Sequence, residues 1–353
     1  MHPRARLWLG PMVAVSAGLL AACGSGSPAP QHTVTVIATP SSAAGGPSPS
    51  TAPPTSPEPG IVAVTTRGAL VVLDASNGSV IRTLASGGVL GDEISVSPNG
   101  STVYYAQGPA CHPEIISASL VAGGAHPAPI APGALPAISP DGTKLAFARQ
   151  PSFTTGCAPS PGNLTKSFKL VIRTLATGAE RILPLPPAQQ RSGLPSPISH
   201  LSWASDSTHL AVSTLAVQDN EGWSLNIVDT SVARYYRGPA TGVSFVPAAG
   251  SPDARLSYLR EGIFLPDGNL FVSRACCTGI PVRNTSRLMW VVTPAGSFVH
   301  QVALGYPSLE HVSLAANATG QWLLYLAGSD LYVSQSQQRP SKLASGLIAA
   351  TWI

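Results

Sequence analysis

One local pattern recurs along the chain and limits its fold more than any other feature. A strand runs into a short turn rich in Pro, Asn, Asp and Gly, and a second alternating strand follows. The copies read EISVSPNGSTVYYA (93–106), PAISPDGTKLAFAR (136–149), LSWASDSTHLAVST (201–214) and VSLAANATGQWLLYLAG (312–328), with a looser fifth, GIFLPDGNLFVSR (262–274). Asp141 in the second copy raises the question of a calcium ligand or a general base. Its equivalents are Asn99, Asp206 and Thr319, and a catalytic carboxylate does not vary through Asn and Thr. A turn residue does, because each of these side chains can bond the local backbone while the following Gly accepts φ > 0. The loop is also too short to gather the oxygens that calcium takes. Asp141 is therefore read as a turn residue.

A second hairpin follows most copies: LVVLDASNGSVIRTL (70–84), KLVIRTLATGAERIL (169–183), SLNIVDTSVARYY (224–236) and LMWVVTPAGSFVHQV (288–302). Asp74 and Asp229 end strands here and are expected to bond nearby backbone at the turn. Two successive hairpins make a four-stranded unit, and units recur at intervals of about 42 to 67 residues, the pattern of a β-propeller. The fold class expected is all-β, a propeller of six blades, with seven as the alternative because region 242–287 has one or two surplus strands. IVAVTT (61–66) reads as the second strand of a blade and GLIAATWI (346–353) as a first strand. The C-terminal strand is expected to pair into the N-terminal blade, which removes the open edges of an unclosed ring.

Composition agrees. Charged residues are only 10% of 353, while Gly (34) and Pro (35) are abundant, which suits short strands and tight turns better than exposed helices. The net charge is +4, with no run of Lys or Arg fit to track a phosphate backbone, so nucleic acid is not an expected partner. At the N-terminus, Arg4 and Arg6 precede the apolar stretch LWLGPMVAVSAGLL (7–20) and then LAAC, ending at Cys23. This resembles the signal peptide and lipobox of bacterial lipoproteins, in which the Cys thiol takes a diacylglyceryl group and a peptidase cuts before it. The resemblance implies a signal peptide over 1–22, lipidation at Cys23, and anchoring on the extracytoplasmic side of the cell membrane. Residues 24–60 are mostly Ser, Pro, Gly, Ala and Thr, apart from HTVTVIA (32–38). Such a segment cannot offset its ordering entropy and reads as a flexible tether spanning on the order of 30–40 Å. The propeller domain is placed at 61–353.

The ISPDGTKLAF element resembles the repeats of TolB-like propellers, and more distantly those of YVTN-type and WD-repeat propellers, over about residues 61–353. That likeness implies the fold and little about function, since such propellers serve as partner platforms, accessory domains and ligand binders alike. The extra N-terminal domain of TolB has no counterpart here.

Four cysteines follow Cys23. Export would place them in an oxidising compartment. Cys111 and Cys157 each follow the second strand of adjacent blades, so their loops share a face, and a Cys111–Cys157 disulfide is expected. Closing a loop of roughly 46 residues would contribute about 4 kcal/mol. Cys276 and Cys277 are read as a strained vicinal disulfide, with a redox or metal pair as the alternative.

The chain has no GxSxG elbow, HExxH or P-loop in the mature region, and no catalytic residue, cofactor or metal is assigned. His200, in SHLSWAS, is expected to be a packed structural residue near a blade interface. Glu310-His311 is a weak candidate near the axis. The inner strands, taken as ISVS, PAIS, HLSW, VSFV and VSLA, carry almost no charge, which weighs against an enzyme. The long connectors after second strands suggest a binding face, with Asp219, Asn220, Glu221, Trp223, Tyr235, Tyr236 and Arg237 as candidates. The expected function is a membrane-anchored, extracytoplasmic, monomeric scaffold that binds an envelope protein or a cell-wall glycan. The alternative is a propeller enzyme of lactonase, lyase or quinone-dependent dehydrogenase type, with its site at the channel mouth.

Overall fold

The computed structural model of the chain describes residues 60–109, 112–149, 169–183, 198–215, 223–235, 258–275, 289–294, 297–301, 314–335, 338 and 340–353, all within the compact unit Pro53–Ile353. The signal peptide, Cys23 and the tether lie outside the described residues, as do Cys111, Cys157, Cys276, Cys277 and Glu310-His311.

The strands form six antiparallel four-stranded sheets. Blade 1 consists of β24 (Leu347–Trp352), β1 (Gly60–Thr65), β2 (Leu70–Asp74) and β3 (Val80–Ala85), in that order from the axis outward. Blade 2 holds β4 (Val89–Val96), β5 (Thr102–Gln107), β6 (Glu114–Ser119) and β7 (Ala128–Pro132). Blade 3 holds β8 (Ala134–Ile138), β9 (Lys144–Arg149), β10 (Lys169–Thr174) and β11 (Glu180–Leu183). Blade 4 holds β12 (Ile198–Trp203), β13 (His209–Leu215), β14 (Trp223–Asp229) and β15 (Arg234–Tyr235). Blade 5 holds β16 (Tyr258–Phe264), β17 (Leu270–Ala275), β18 (Met289–Val292) and β19 (Phe298–Gln301). Blade 6 holds β20 (Leu314–Ala316), β21 (Trp322–Ala327), β22 (Asp330–Gln335) and β23 (Ser341–Ser345). The count is six, not seven.

The seam falls where the sequence placed it. β24 pairs with β1, with Ile61 opposite Trp352 and Ala63 opposite Ala350, and the amide of Ile353 donates to the carbonyl of Gly60 at 3.1 Å. The repeat is therefore offset by one strand from the blade, and closure joins the two ends of the domain.

Second strands are buried on both faces, and the packing shows why they read as apolar runs. Val62 and Val64 pack toward blade 2 with Val103 and Tyr105, while Ile61 and Ala63 pack toward blade 6 with Leu324 and Leu331. Six hydrophobic clusters result, one for each boundary between neighbouring blades. No single central core exists. Stability comes from six sheet-on-sheet interfaces arranged in a ring.

The turns behave as local chemistry requires. Asp141 accepts hydrogen bonds from the amide of Thr143 at 3.0 Å and from the hydroxyls of Thr143 and Ser139 at 2.9 and 2.5 Å, and Gly142 sits at φ 71. Asn99, Asp206 and Asp267 likewise accept from the amides of Ser101, Thr208 and Asn269. Asp74 and Asp229 accept from the amides of Ser76 and Ser231. The looser copy differs for a visible reason. Six residues separate the paired ends Ile138 and Leu145, whereas five separate Phe264 and Leu270, so that turn closes one residue earlier, from Leu265 to Asn269.

Candidate functional site

Two features of the ring could recognise a ligand: one of its faces and its channel. Antiparallel order sends the first-to-second and third-to-fourth connections to one face, here the turn face. The second-to-third and blade-to-blade connections leave from the other, the connector face. On the turn face, no connection exceeds the eight residues of 120–127. The connector face is lopsided. Around blades 6, 1 and 2 its connections are 328–329, 346, 66–69, 86–88, 108–113 and 133. Around blades 3, 4 and 5 they are 150–168, 184–197, 216–222, 236–257, 276–288 and 302–313. These longer segments lie outside the described residues, but the strand ends that launch them are described.

Asp219, Asn220 and Glu221 lie outside the described residues, and Trp223 opens β14 at the connector end, opposite Leu215. Tyr235 instead pairs with Val228, and Arg234 with Asp229, near the turn end of blade 4. The five-residue offset from Trp223 to Val228 is roughly 17 Å of strand, so Trp223 and Tyr235 are not brought together. Tyr236 and Arg237 lie outside the described residues.

The channel holds what the sequence reading missed. The six inner strands β4, β8, β12, β16, β20 and β24 surround a cavity of about 190 Å³. Two expectations about it need correction. The inner strand of blade 5 is YLREGIF, not VSFV at 243–246, which lies outside the described residues, and β4 reaches back through Asp92 and Glu93. Inner strands therefore do carry ionisable residues: Asp92, Glu93, His200, Arg260 and Glu261. Counting back three residues from each strand's last paired residue gives Glu93 from Val96, His200 from Trp203 and Glu261 from Phe264. These three occupy one level of the channel, near its connector end.

His200 is buried, as expected, but against the channel. Its Nδ1 lies 3.3 Å from Glu93 Oε1, with the two side chains 12% and 10% exposed. Glu93 Oε2 accepts a hydrogen bond from the amide of Leu201 at 3.2 Å. The carboxylate of blade 2 thus reaches blade 4 past the inner strand of blade 3. That strand makes room by bulging between Ala134 and Ala137, with Leu135 at φ 56. Burial pushes the His200 imidazole down to about 4, so it is neutral at pH 7. Its proton then sits on Nδ1, donated to Glu93, and Nε2 is left as an acceptor with no partner among the described residues.

Bulges recur at this end of the channel. Register shifts fall between Val89 and Ile94, Ala134 and Ala137, Ile198 and His200, Leu259 and Glu261, and opposite Val64 and Thr65 in β24. Bulges re-aim side chains and cluster beside binding sites. Toward the turn end the inner strands are tied to one another. Ser95 Oγ accepts from the amide of Ile138 and Ser202 Oγ from that of Phe264, each at 3.0 Å, and Trp203 Nε1 donates to the carbonyl of Ala137 at 2.9 Å. Among the described residues, no group of three or more His, Cys, Asp or Glu side chains is arranged to hold a metal ion, and no helix is long and apolar enough to cross a membrane.

No protein-family model matches the sequence, and no curated protein is detectably similar to it. Solved structures are similar in fold. TolB from Acinetobacter baumannii superposes with a TM-score of 0.56 at 14% identity, over 83% of this chain and 65% of the TolB chain. A chain of the nidogen/laminin complex gives a TM-score of 0.53 at 10% identity, over 83% of this chain and 97% of that one. The β-propeller domain of Cps50 (Swd1) from Myceliophteria thermophila gives 0.46 at 14% identity, over 83% and 82%. At such identities the likeness is one of fold. The chain is an all-β, six-bladed propeller with TolB and nidogen/laminin propellers among its structural neighbours.

Proposed function

We propose that the protein is a membrane-anchored, extracytoplasmic lipoprotein whose propeller is a binding scaffold of the cell envelope, engaging a protein or a glycan through its connector face. The observation that carries this reading is the lopsided distribution of connections. Between consecutive described strands, every stretch longer than eight residues starts and ends at one face, in three consecutive blades, while the other described connections are short. Long loops on a rigid scaffold are where recognition is built. The anchor rests on the LAAC sequence at 20–23.

The test is crosslinking of the full-length protein in its native envelope, followed by mass spectrometry of what is captured through 150–168 and 276–288. A reproducible partner on those segments supports the reading. Crosslinks confined to the turn face overturn the choice of face. Cys23→Ala separates the anchor from the binding role, because it should release the protein from the membrane fraction without altering capture. A second reading, an enzyme at the channel mouth, draws on the Glu93–His200 pair. It predicts turnover that His200→Gln abolishes without a change in fold.

A further inference from the structure

The channel holds polar groups that the fold leaves unmatched, and their sign is informative. His200 Nε2 is a buried acceptor without a donor among the described residues. Ser95 and Ser202 line the same cavity. Each hydroxyl oxygen already accepts an amide from the next blade, as Ile138 and Phe264 show. A hydroxyl that accepts still has its own proton to donate, and neither proton has an acceptor among the described residues. The wall thus offers two acceptors, the imidazole nitrogen and the Glu93 carboxylate that His200 and the amide of Leu201 already engage, and two donors. Apolar surface from Leu201, Ile263 and Leu314 lies between them. A cavity of about 150 Å³ holds a benzene-sized molecule, and this one is about 190 Å³.

We propose that this cavity is a binding site for a polyol the size of a single sugar ring. A hydroxyl group both donates and accepts, so adjacent hydroxyls can satisfy the imidazole and the two serines together. An ammonium ion only donates, and would leave both serine protons unmatched. A neutral polyol also brings no charge to desolvate in a channel that is closed on all sides by strands. Its C–H faces fit the apolar wall. The site is lined by residues of the inner strands and by Pro140, and does not depend on the long connectors. The connector face can capture a partner with the channel empty, and the channel can bind a sugar with no partner present.

The test uses the purified full chain with glucose and myo-inositol as ligands and n-butylammonium as the cationic control, by calorimetry and ligand-observed NMR. For about a dozen heavy atoms, saturable polyol binding with a dissociation constant of about a millimolar is expected, with the cation binding at least tenfold more weakly. His200→Phe, which removes the acceptor, and Ala316→Leu, which fills the cavity without touching a polar group, should each weaken polyol binding roughly tenfold or more. Melting curves confirm that each variant is folded, and Ala316→Leu keeps the test valid if His200→Phe is not. No saturable polyol binding, tighter binding of the cation, or polyol binding unchanged by Ala316→Leu would each overturn the proposal.

Discussion

The amide of Asp141 donates to the hydroxyl of Ser207 across 3.0 Å, joining the first turn of blade 3 to the first turn of blade 4. Ser207 holds φ 54, where the other copies place glycine, and its carbonyl also accepts from Lys144 Nζ at 2.9 Å. The strained residue is thus the one that links the blades. Ser207→Ala keeps the strain and loses the bond, and should lower unfolding free energy by about 1–2 kcal/mol. Ser207→Gly loses the bond but relieves about 1 kcal/mol of strain, and should fall within about 0.5 kcal/mol of the parent. Urea denaturation of the pair decides the point; equal losses would mean that the backbone at Ser207 stores no strain, and no loss in Ser207→Ala would mean that the hydroxyl contributes nothing.

Acid should loosen the ring before its carboxylates titrate. The His200 value falls from 6.5 to about 4 on folding, so between those pH values the unfolded chain binds more protons than the folded one. Stability from this group is complete above pH 6.5 and is lost as pH falls toward 4, by at most about 3 kcal/mol. Asp141 and Asp206 do not share that window. Burial raises each, but hydrogen bonds from Ser139 and Thr143, and from His209 and Thr208, hold both below 3.8. Thermal melts from pH 7 to pH 4.5 should show a decline that His200→Gln largely removes. A parallel decline in the variant would assign the effect elsewhere.

The indole of Trp203 spans a blade boundary through its bond to Ala137. Trp203→Phe removes that donor and leaves a buried carbonyl unpaired, at a cost of about 2 kcal/mol. The loss should appear in chemical denaturation with no change in the slope of the transition. A neutral result would mean that water replaces the indole.

Two glycines separate backbone strain from steric fit. Gly78 and Gly268 have φ of 73 and 82, but a Cβ on Gly78 would lie 2.2 Å from the carbonyl oxygen of Leu343 in blade 6, while one on Gly268 meets open space. Gly268→Ala should cost about 1 kcal/mol and Gly78→Ala at least about 3 kcal/mol. Similar losses would show that the blade 6 strand yields readily.

What the sequence disclosed follows from the range of the physics involved. The turn role of Asp141 was legible because its partners lie within two residues. The seam was legible because GLIAATWI and IVAVTT each lack the partner strand that the other supplies. Blade 5 was misread because VSFV is the more apolar stretch, while the strand that forms carries Glu261 and Gly262, and local apolarity ranked the wrong one first. The pairing of Glu93 with His200 spans two blades, and no local pattern links such distant positions. The bulge residues carry no mark either, since an extra residue in a strand looks like any other. Trp223 and Tyr235 were placed on one face because both belong to one hairpin, yet Trp223 opens its first strand at the connector end while Tyr235 follows the turn at the other end.

The pairing of β24 with β1 also bears on how the chain is made. Residues 60–85 leave the ribosome more than two hundred residues ahead of 347–352, and blade 1 must wait for its innermost strand throughout. A nascent chain released early would carry five finished blades and one with its inner edge bare, with Ile61, Ala63 and Leu73 stripped of their cover. Such a product has the exposed strand edge and apolar surface that proteases and chaperones act on. The ring therefore closes only once the chain has been made through residue 352.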